Sequence, residues 1–154
     1  MRARDLAEPF PVVDLDTDAT EAARVMGEQR LPGLIVCGRD GRPYTVLPGS
    51  QVLRFIIPNY VQEDLALARV YDEQASDELL GKLTNRTVAD VLPGERDVDE
   101  LPIVDHDATT IEVAAVMARM HSPIVAVVDG DELLGAITVS RLLGHLLPTP
   151  PAQP

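Results

Sequence analysis

The chain is short of cations, aromatic rings and cysteine, and each shortage removes a class of function. Its 13 Lys and Arg stand against 25 Asp and Glu, a formal charge of −12 over 154 residues. Nucleic-acid binding is driven by cationic groups that displace counterions from phosphates, so this balance argues against DNA or RNA as a partner. An anionic membrane surface is disfavoured on the same ground. Phe, Trp and Tyr make up 3% of the residues and Trp is absent, which leaves almost no stacking platform for single-stranded nucleic acid. Cys37 is the one cysteine, so neither an intramolecular disulfide nor a multi-cysteine metal site can form. It falls in the apolar run Leu34, Ile35, Val36, Cys37, where a thiol behaves as a small hydrophobe. No window reaches the ~20 apolar residues of a membrane span, and Met1 to Pro9 carries no apolar core of a secretory signal. A cytoplasmic, reducing setting without membrane contact is expected.

Motifs for chemistry are also scarce. The run Asp14, Leu15, Asp16, Thr17, Asp18 starts like a calcium loop, but Ala19 and Val25 stand where such a loop needs Gly and a bidentate Glu. A phosphotransferase pattern fails at Asp18, and a strand end followed by a helix cap accounts for the same residues. His106, His121 and His145 show no metal-ligand spacing. No Ser, His, Asp order and no Gly-rich phosphate loop is present, so nothing indicates an enzyme, a metal or a resident cofactor.

What is present is a repeat. With 45% apolar and 25% charged residues the chain can bury a core, and residues 2–53 line up with 88–143. Arg4-Asp5-Leu6 answers Ala89-Asp90-Val91, and Ala22-Ala23-Arg24-Val25-Met26 answers Val113-Ala114-Ala115-Val116-Met117. Pro32 matches Pro123, Asp40-Gly41 matches Asp129-Gly130, and Ser50-Gln51-Val52-Leu53 matches Ser140-Arg141-Leu142-Leu143. Each copy reads as a short strand (Val12 to Asp14; Leu101 to Val104), a helix opened by a capping-box pair (Asp18 with Glu21; Thr109 with Glu112) and stopped at Pro32 or Pro123. Two strands joined by an Asp-Gly turn follow, Leu34 to Cys37 with Tyr44 to Leu47, and Ile124 to Val128 with Leu133 to Ile137. A last helix starts near Ser50 or Ser140. A β-α-β-β-α unit of this size is marginal alone. The expectation is an α+β, two-layer α/β fold of tandem repeats packed through their sheets with pseudo-two-fold symmetry and a cleft between them.

These residues resemble the cystathionine-β-synthase-type (CBS) domains, which occur as tandem pairs called Bateman modules. The resemblance rests on Arg4-Asp5-Leu6, on Thr87 to Leu92, on the Asp-Ala-Thr turns, and on the run Leu133 to Leu143. It implies a first repeat at 1–57, a helical insertion at 58–84, a second repeat at 85–147 and a disordered Pro-rich tail at 148–154. It further implies a non-catalytic regulatory pair binding AMP, ADP, ATP or S-adenosylmethionine, or another small anion, in the cleft. The family's motif runs Gly, two apolar residues, Thr or Ser, two residues, Asp, with the Asp on the ribose. Gly135 and Thr138 match it, but Arg141 stands in the Asp place; Thr45, Pro48 and Gln51 occupy the three places in the first repeat. The ligand-binding candidates are therefore Pro32, Ser50 and Gln51 together with Pro123, Ile124, Thr138, Ser140 and Arg141. Of the two sites the one containing Thr138 and Arg141 is favoured, because the amide groups of a helix start and a guanidinium can converge there on a phosphate. A homodimer is the family's expectation.

Between the repeats, Val61, Leu65 and Ala68 share one helical face, and Ser76 with Asp77 and Glu78 reads as a second helix start with Leu79, Leu80 and Leu83 as its apolar side. Six carboxylates, Glu63, Asp64, Asp72, Glu73, Asp77 and Glu78, face Arg69 alone. A solvated surface and a docking surface for a basic partner both fit. The second function carried is accordingly a ligand-free interaction module that docks a partner enzyme or transporter.

Overall fold

The computed structural model describes residues 1–94 and 100–148. Two three-stranded sheets carry the fold, with orders β1-β2-β3 and β4-β5-β6. In the first, β1 (Val12–Asp14) runs parallel to β2 (Gly33–Cys37), which pairs antiparallel with β3 (Pro43–Pro48). The second repeats this with β4 (Ile103–Asp105), β5 (Ile124–Asp129) and β6 (Glu132–Thr138). The hairpins turn at Gly41 and Gly130, both at positive φ as their Asp-Gly sequences require. Helices α2 (Ala19–Gln29) and α3 (Gly49–Ile56) cover one sheet; α7 (Thr110–Met120) and α8 (Val139–Leu146) cover the other. The β-α-β-β-α order of each repeat is therefore present, and the chain is a mixed α/β fold of two-layer repeats.

The chain divides into two compact units, Pro11–Glu100 and Met1–Phe10 with Leu101–Pro154. Each sheet thus takes its short entry helix from elsewhere in the sequence. Helix α1 (Ala3–Leu6) buries Ala3 and Leu6 in the core of β4, β5 and β6, with Ala3 N donating to Ala108 O at 2.8 Å and Arg4 N to His106 O at 2.9 Å. Helix α6 (Val88–Val91) does the same beneath β1, β2 and β3, where Val88 N donates to Thr17 O at 2.8 Å and Ala89 N to Leu15 O at 3.0 Å.

Local details depart from the sequence expectations in four places. Asp18 and Thr109 do cap α2 and α7, but Glu21 pairs with Arg24 at 2.6 Å instead of closing a box. At α6 the acid does reach back to its cap, where Asp90 accepts from Thr87 N at 2.9 Å and from Thr87 Oγ1 at 3.2 Å. Neither α2 nor α7 runs to its proline: Arg30 and His121 turn left-handed at φ 55 and 51 and end the helices two residues earlier. The first strand of the second repeat begins at Ile103, because Leu101 is off the ladder and Pro102 has no N–H to give it. In the insertion, Val61, Leu65 and Ala68 do not form one helix. Helix α4 (Asn59–Glu63) stops at Asp64, which goes extended and caps a 3-10 turn over Leu65–Val70, and of the three only Val61 is buried. The next helix, α5 (Glu73–Leu80), starts three residues before Ser76 because Asp72 accepts from Ala75 N at 2.8 Å. Of its expected apolar side, Leu83 is buried and Leu80 is 57% exposed. The Pro-rich tail from residue 149 lies outside the described residues, as do residues 95–99.

Candidate functional site

The last helix of each repeat starts in the same way. Pro32 O accepts from Gly49 N and Pro123 O from Val139 N, both at 3.1 Å, so the two prolines tie the strand start to the helix start through their carbonyls. Thr138 caps α8: its Oγ1 accepts from Arg141 N at 3.3 Å and lies 3.2 Å from Ser140 Oγ. Pro48, in the equivalent place, supplies no side-chain acceptor to α3. Ser50 and Ser140 are exposed, and Ile124 is fully buried at the head of β5.

Gln51 and Arg141 perform one structural task in two chemistries. Gln51 Nε2 donates to Val91 O at 2.9 Å, and Arg141 Nε donates to Leu6 O at 2.7 Å. Val91 and Leu6 are corresponding last residues of α6 and α1, so each side chain anchors an entry helix by its C-terminal carbonyl. Arg141 does more: its Nη1 is 3.0 Å from Glu8 Oε1. The guanidinium that the resemblance directs at a phosphate is therefore engaged by a carbonyl and a carboxylate of its own unit.

Beyond the entry helices the two units differ. Glu8 forms an isolated bridge with Ala136, donating at 2.9 Å and accepting at 3.0 Å, and this lays the chain against β6. Gly135 permits the approach, since a Cβ there would collide with the Glu8 carbonyl. In the other unit Pro93 holds the place of Glu8 and has no N–H to donate; among the described residues no bridge to Val46 forms. Thr45, fully buried in the place of Gly135, is tolerated there. A cavity of about 620 Å³ opens where the chain leaves the sheet, walled by Gln51, Arg54, Phe55, Lys82, Asp90 and Pro93 among others. Thr87 holds the Asp90 carboxyl below the usual carboxylate range, chiefly through its backbone N–H, so Asp90 stays anionic. Arg54, Lys82 and Glu8 were not legible as site residues in the sequence; the one signal was the Glu8 and Pro93 mismatch in the repeat.

A second, apolar groove of about 520 Å³ lies between α7 and α8, walled by Met117, Pro123, Val139, Leu142, Leu143 and Leu146. Cys37, partly exposed, lines a third of about 410 Å³ with Asp14 and Asp16. Among the described residues no group of three or more His, Cys, Asp or Glu is placed to hold a metal, and no helix is long and apolar enough to cross a membrane.

The CBS domain family model matches residues 3–55 and 95–148. A CBS domain-containing protein of unknown function from Kribbella flavida DSM 17836 is 52% identical, with 95% of this chain and 98% of that chain covered and a TM-score of 0.83. The CBS domain of a membrane protein from Sphaerobacter thermophilus is 22% identical over 96% and 88% of the two chains, TM-score 0.71. CBSX2 of Arabidopsis thaliana, in complex with AMP, is 17% identical over 94% and 95%, TM-score 0.65. No curated protein sequence matches the chain. The chain belongs to the CBS domain family and carries two of its repeats. Domains of this family are generally regulatory and non-catalytic.

Proposed function

We propose that the chain is a non-catalytic sensor that binds an adenosine-type ligand, AMP, ADP, ATP or S-adenosylmethionine, and passes occupancy to a partner. The observation that carries this reading is the cavity at Gln51, which stands in the family motif's ribose position and lines a space of about 620 Å³, well within the range of small-ligand sites. The fold's likeness to CBSX2, whose structure holds AMP, agrees with it. Gln51 donates to Val91 O through its amide nitrogen, which leaves its amide oxygen free to accept from a hydroxyl. At the second repeat, Thr138, Ser140 and Arg141 offer a helix start whose guanidinium is already paired, so the first repeat is the favoured site. Occupancy is transmitted only if ligand binds one arrangement of the protein better than another.

The test is thermal unfolding with AMP, ADP, ATP, S-adenosylmethionine and NAD. Ligand at 100 times its Kd adds about 2.7 kcal/mol, which raises Tm by several degrees. No shift with any of them removes the sensor reading in favour of an interaction module docking through residues 58–84. The homodimer of the resemblance is proposed to cover the groove between α7 and α8, where Leu143 and Val139 are 46% and 38% exposed. Light scattering on a sizing column reads it directly.

A further inference from the structure

Helices α3 and α8 correspond residue for residue, yet they carry their charge in different places. Arg141 is spent on Leu6 and Glu8, whereas its counterpart Gln51 is neutral. One turn further along, Arg54 stands where α8 has Gly144. The Arg54 guanidinium has no hydrogen-bond or ion-pair partner among the described residues, while its backbone carbonyl accepts from Gln62. A second cation comes from the insertion, outside both family-model matches: Lys82, on the 3-10 turn Gly81–Leu83, donates through Nζ to Ile56 O at 3.0 Å. This uses one of the ammonium's three protons and fixes the charge at the C-terminal end of α3.

Arg54 and Lys82 wall the same cavity, with Phe55, Leu92 and Pro93 supplying apolar surface. Among the described residues the opposing charge in that wall is Asp90, whose carboxylate already accepts from the Thr87 amide and hydroxyl. Among the described residues, two cations against one satisfied acid give this wall an excess of positive charge, on a chain with 13 cations against 25 acids. A concave wall of this kind favours an anion with several acceptor oxygens, which a forked guanidinium and an adjacent ammonium can share.

We infer that Arg54 and Lys82 form a phosphate subsite, so that the first repeat prefers a phosphorylated small molecule over its unphosphorylated core. The inference rests on the reading that this cavity takes a small ligand, and it names that ligand's anionic part. In the second repeat, among the described residues, the corresponding cations are not in place: Gly144 brings no charge, no counterpart of Lys82 is present, and Glu8 pairs with Arg141.

Calorimetric titration of the full chain with adenosine, AMP, ATP and inorganic tripolyphosphate tests it, on wild type, Arg54→Gln, Lys82→Gln, the double variant and Lys82→Arg. Expected are tighter binding of AMP and ATP than of adenosine, and a loss of about tenfold or more for ATP and tripolyphosphate in the double variant. Lys82→Arg retains most of the affinity, and adenosine is unaffected by any of the four. Apo melting curves show that the variants remain folded. Equal affinity for adenosine and AMP, phosphate affinities unmoved by the double variant, or no binding of any phosphorylated probe overturns the subsite. Adenosine bound without phosphate preference leaves the sensor reading and removes this one. Tripolyphosphate bound through Arg54 and Lys82, with no adenosine compound bound, does the reverse.

Discussion

Arg141 and Glu8 form an ion pair at 3.0 Å, and both belong to the unit whose entry helix opens the chain. The side chains are 32% and 52% exposed, so solvent screening keeps the pair itself within about 1 kcal/mol. The hydrogen bond from Nε to Leu6 O adds about as much again, because it satisfies a helix-end carbonyl. Arg141→Met, which keeps the stem and removes the donors, is expected to lower stability by about 1 to 2 kcal/mol, roughly 2 to 8 °C in Tm. Glu8→Gln is expected to cost less than half of that. Equal losses in the two variants would place the stabilisation in the ion pair and not in the anchoring of α1.

Gly135→Ala and Gly144→Ala are expected to move stability in opposite directions. A Cβ at Gly135 meets the backbone of Glu8, which cannot give way without breaking the bridge to Ala136. Overpacking of this kind costs about 1 to 3 kcal/mol. Gly144 lies inside α8 with open space around it, so alanine there contributes up to about 1 kcal/mol through helix propensity. Urea denaturation of the two variants reads the sign of each.

Asp90 closes the N-terminal cap of α6 through Thr87, and its lowered pKa gives that cap a pH dependence. The backbone N–H of Thr87 is the main cause, with its hydroxyl and Arg86 contributing. A carboxyl whose folded pKa is depressed stabilises above its unfolded pKa, and that contribution is lost as pH falls through the folded value. The stability difference between wild type and Asp90→Asn should therefore be largest near neutrality and vanish in acid. A difference that stays constant across the carboxylate range would show that Asp90 acts through shape alone.

Cys37 ends β2 with its thiol partly exposed, and burial raises its pKa, with Asp14 and Asp40 adding to the effect. The thiolate fraction at neutral pH is therefore below that of a free cysteine. Reaction with an aromatic disulfide reagent should be slower than for a model thiol, and unfolding the chain should restore the ordinary rate. A rate at or above that of the model thiol would mark Cys37 as activated.

The fold was legible because the repeat states it twice: Asp18 and Thr109 cap where oxygen-bearing side chains belong, and Asp-Gly turns at Gly41 and Gly130 join the strands. Which entry helix serves which sheet was not legible, since Arg4-Asp5-Leu6 and Ala89-Asp90-Val91 have the same pattern and pairing is decided by tertiary contact. The insertion misled because Val61, Leu65 and Ala68 have helical spacing, whereas Asp64 is a better cap than helix interior and breaks the run. For the candidate site, Gln51 and Arg141 stand out in the sequence only by their place in the repeat. Their partners are backbone carbonyls, Val91 O and Leu6 O, and a carbonyl has no residue type to recognise.

The borrowed entry helix also sets a timetable for the nascent chain. Residues 11–94 carry every strand and helix of their own unit, so that unit can close while later residues are still being made. The segment Met1–Phe10 cannot follow it. Ala3 waits for Ala108, Arg4 for His106 and Glu8 for Ala136, so the last of these bonds forms only after β6 has left the ribosome. The opening segment of this chain is synthesised early and placed late, and its docking completes the second unit.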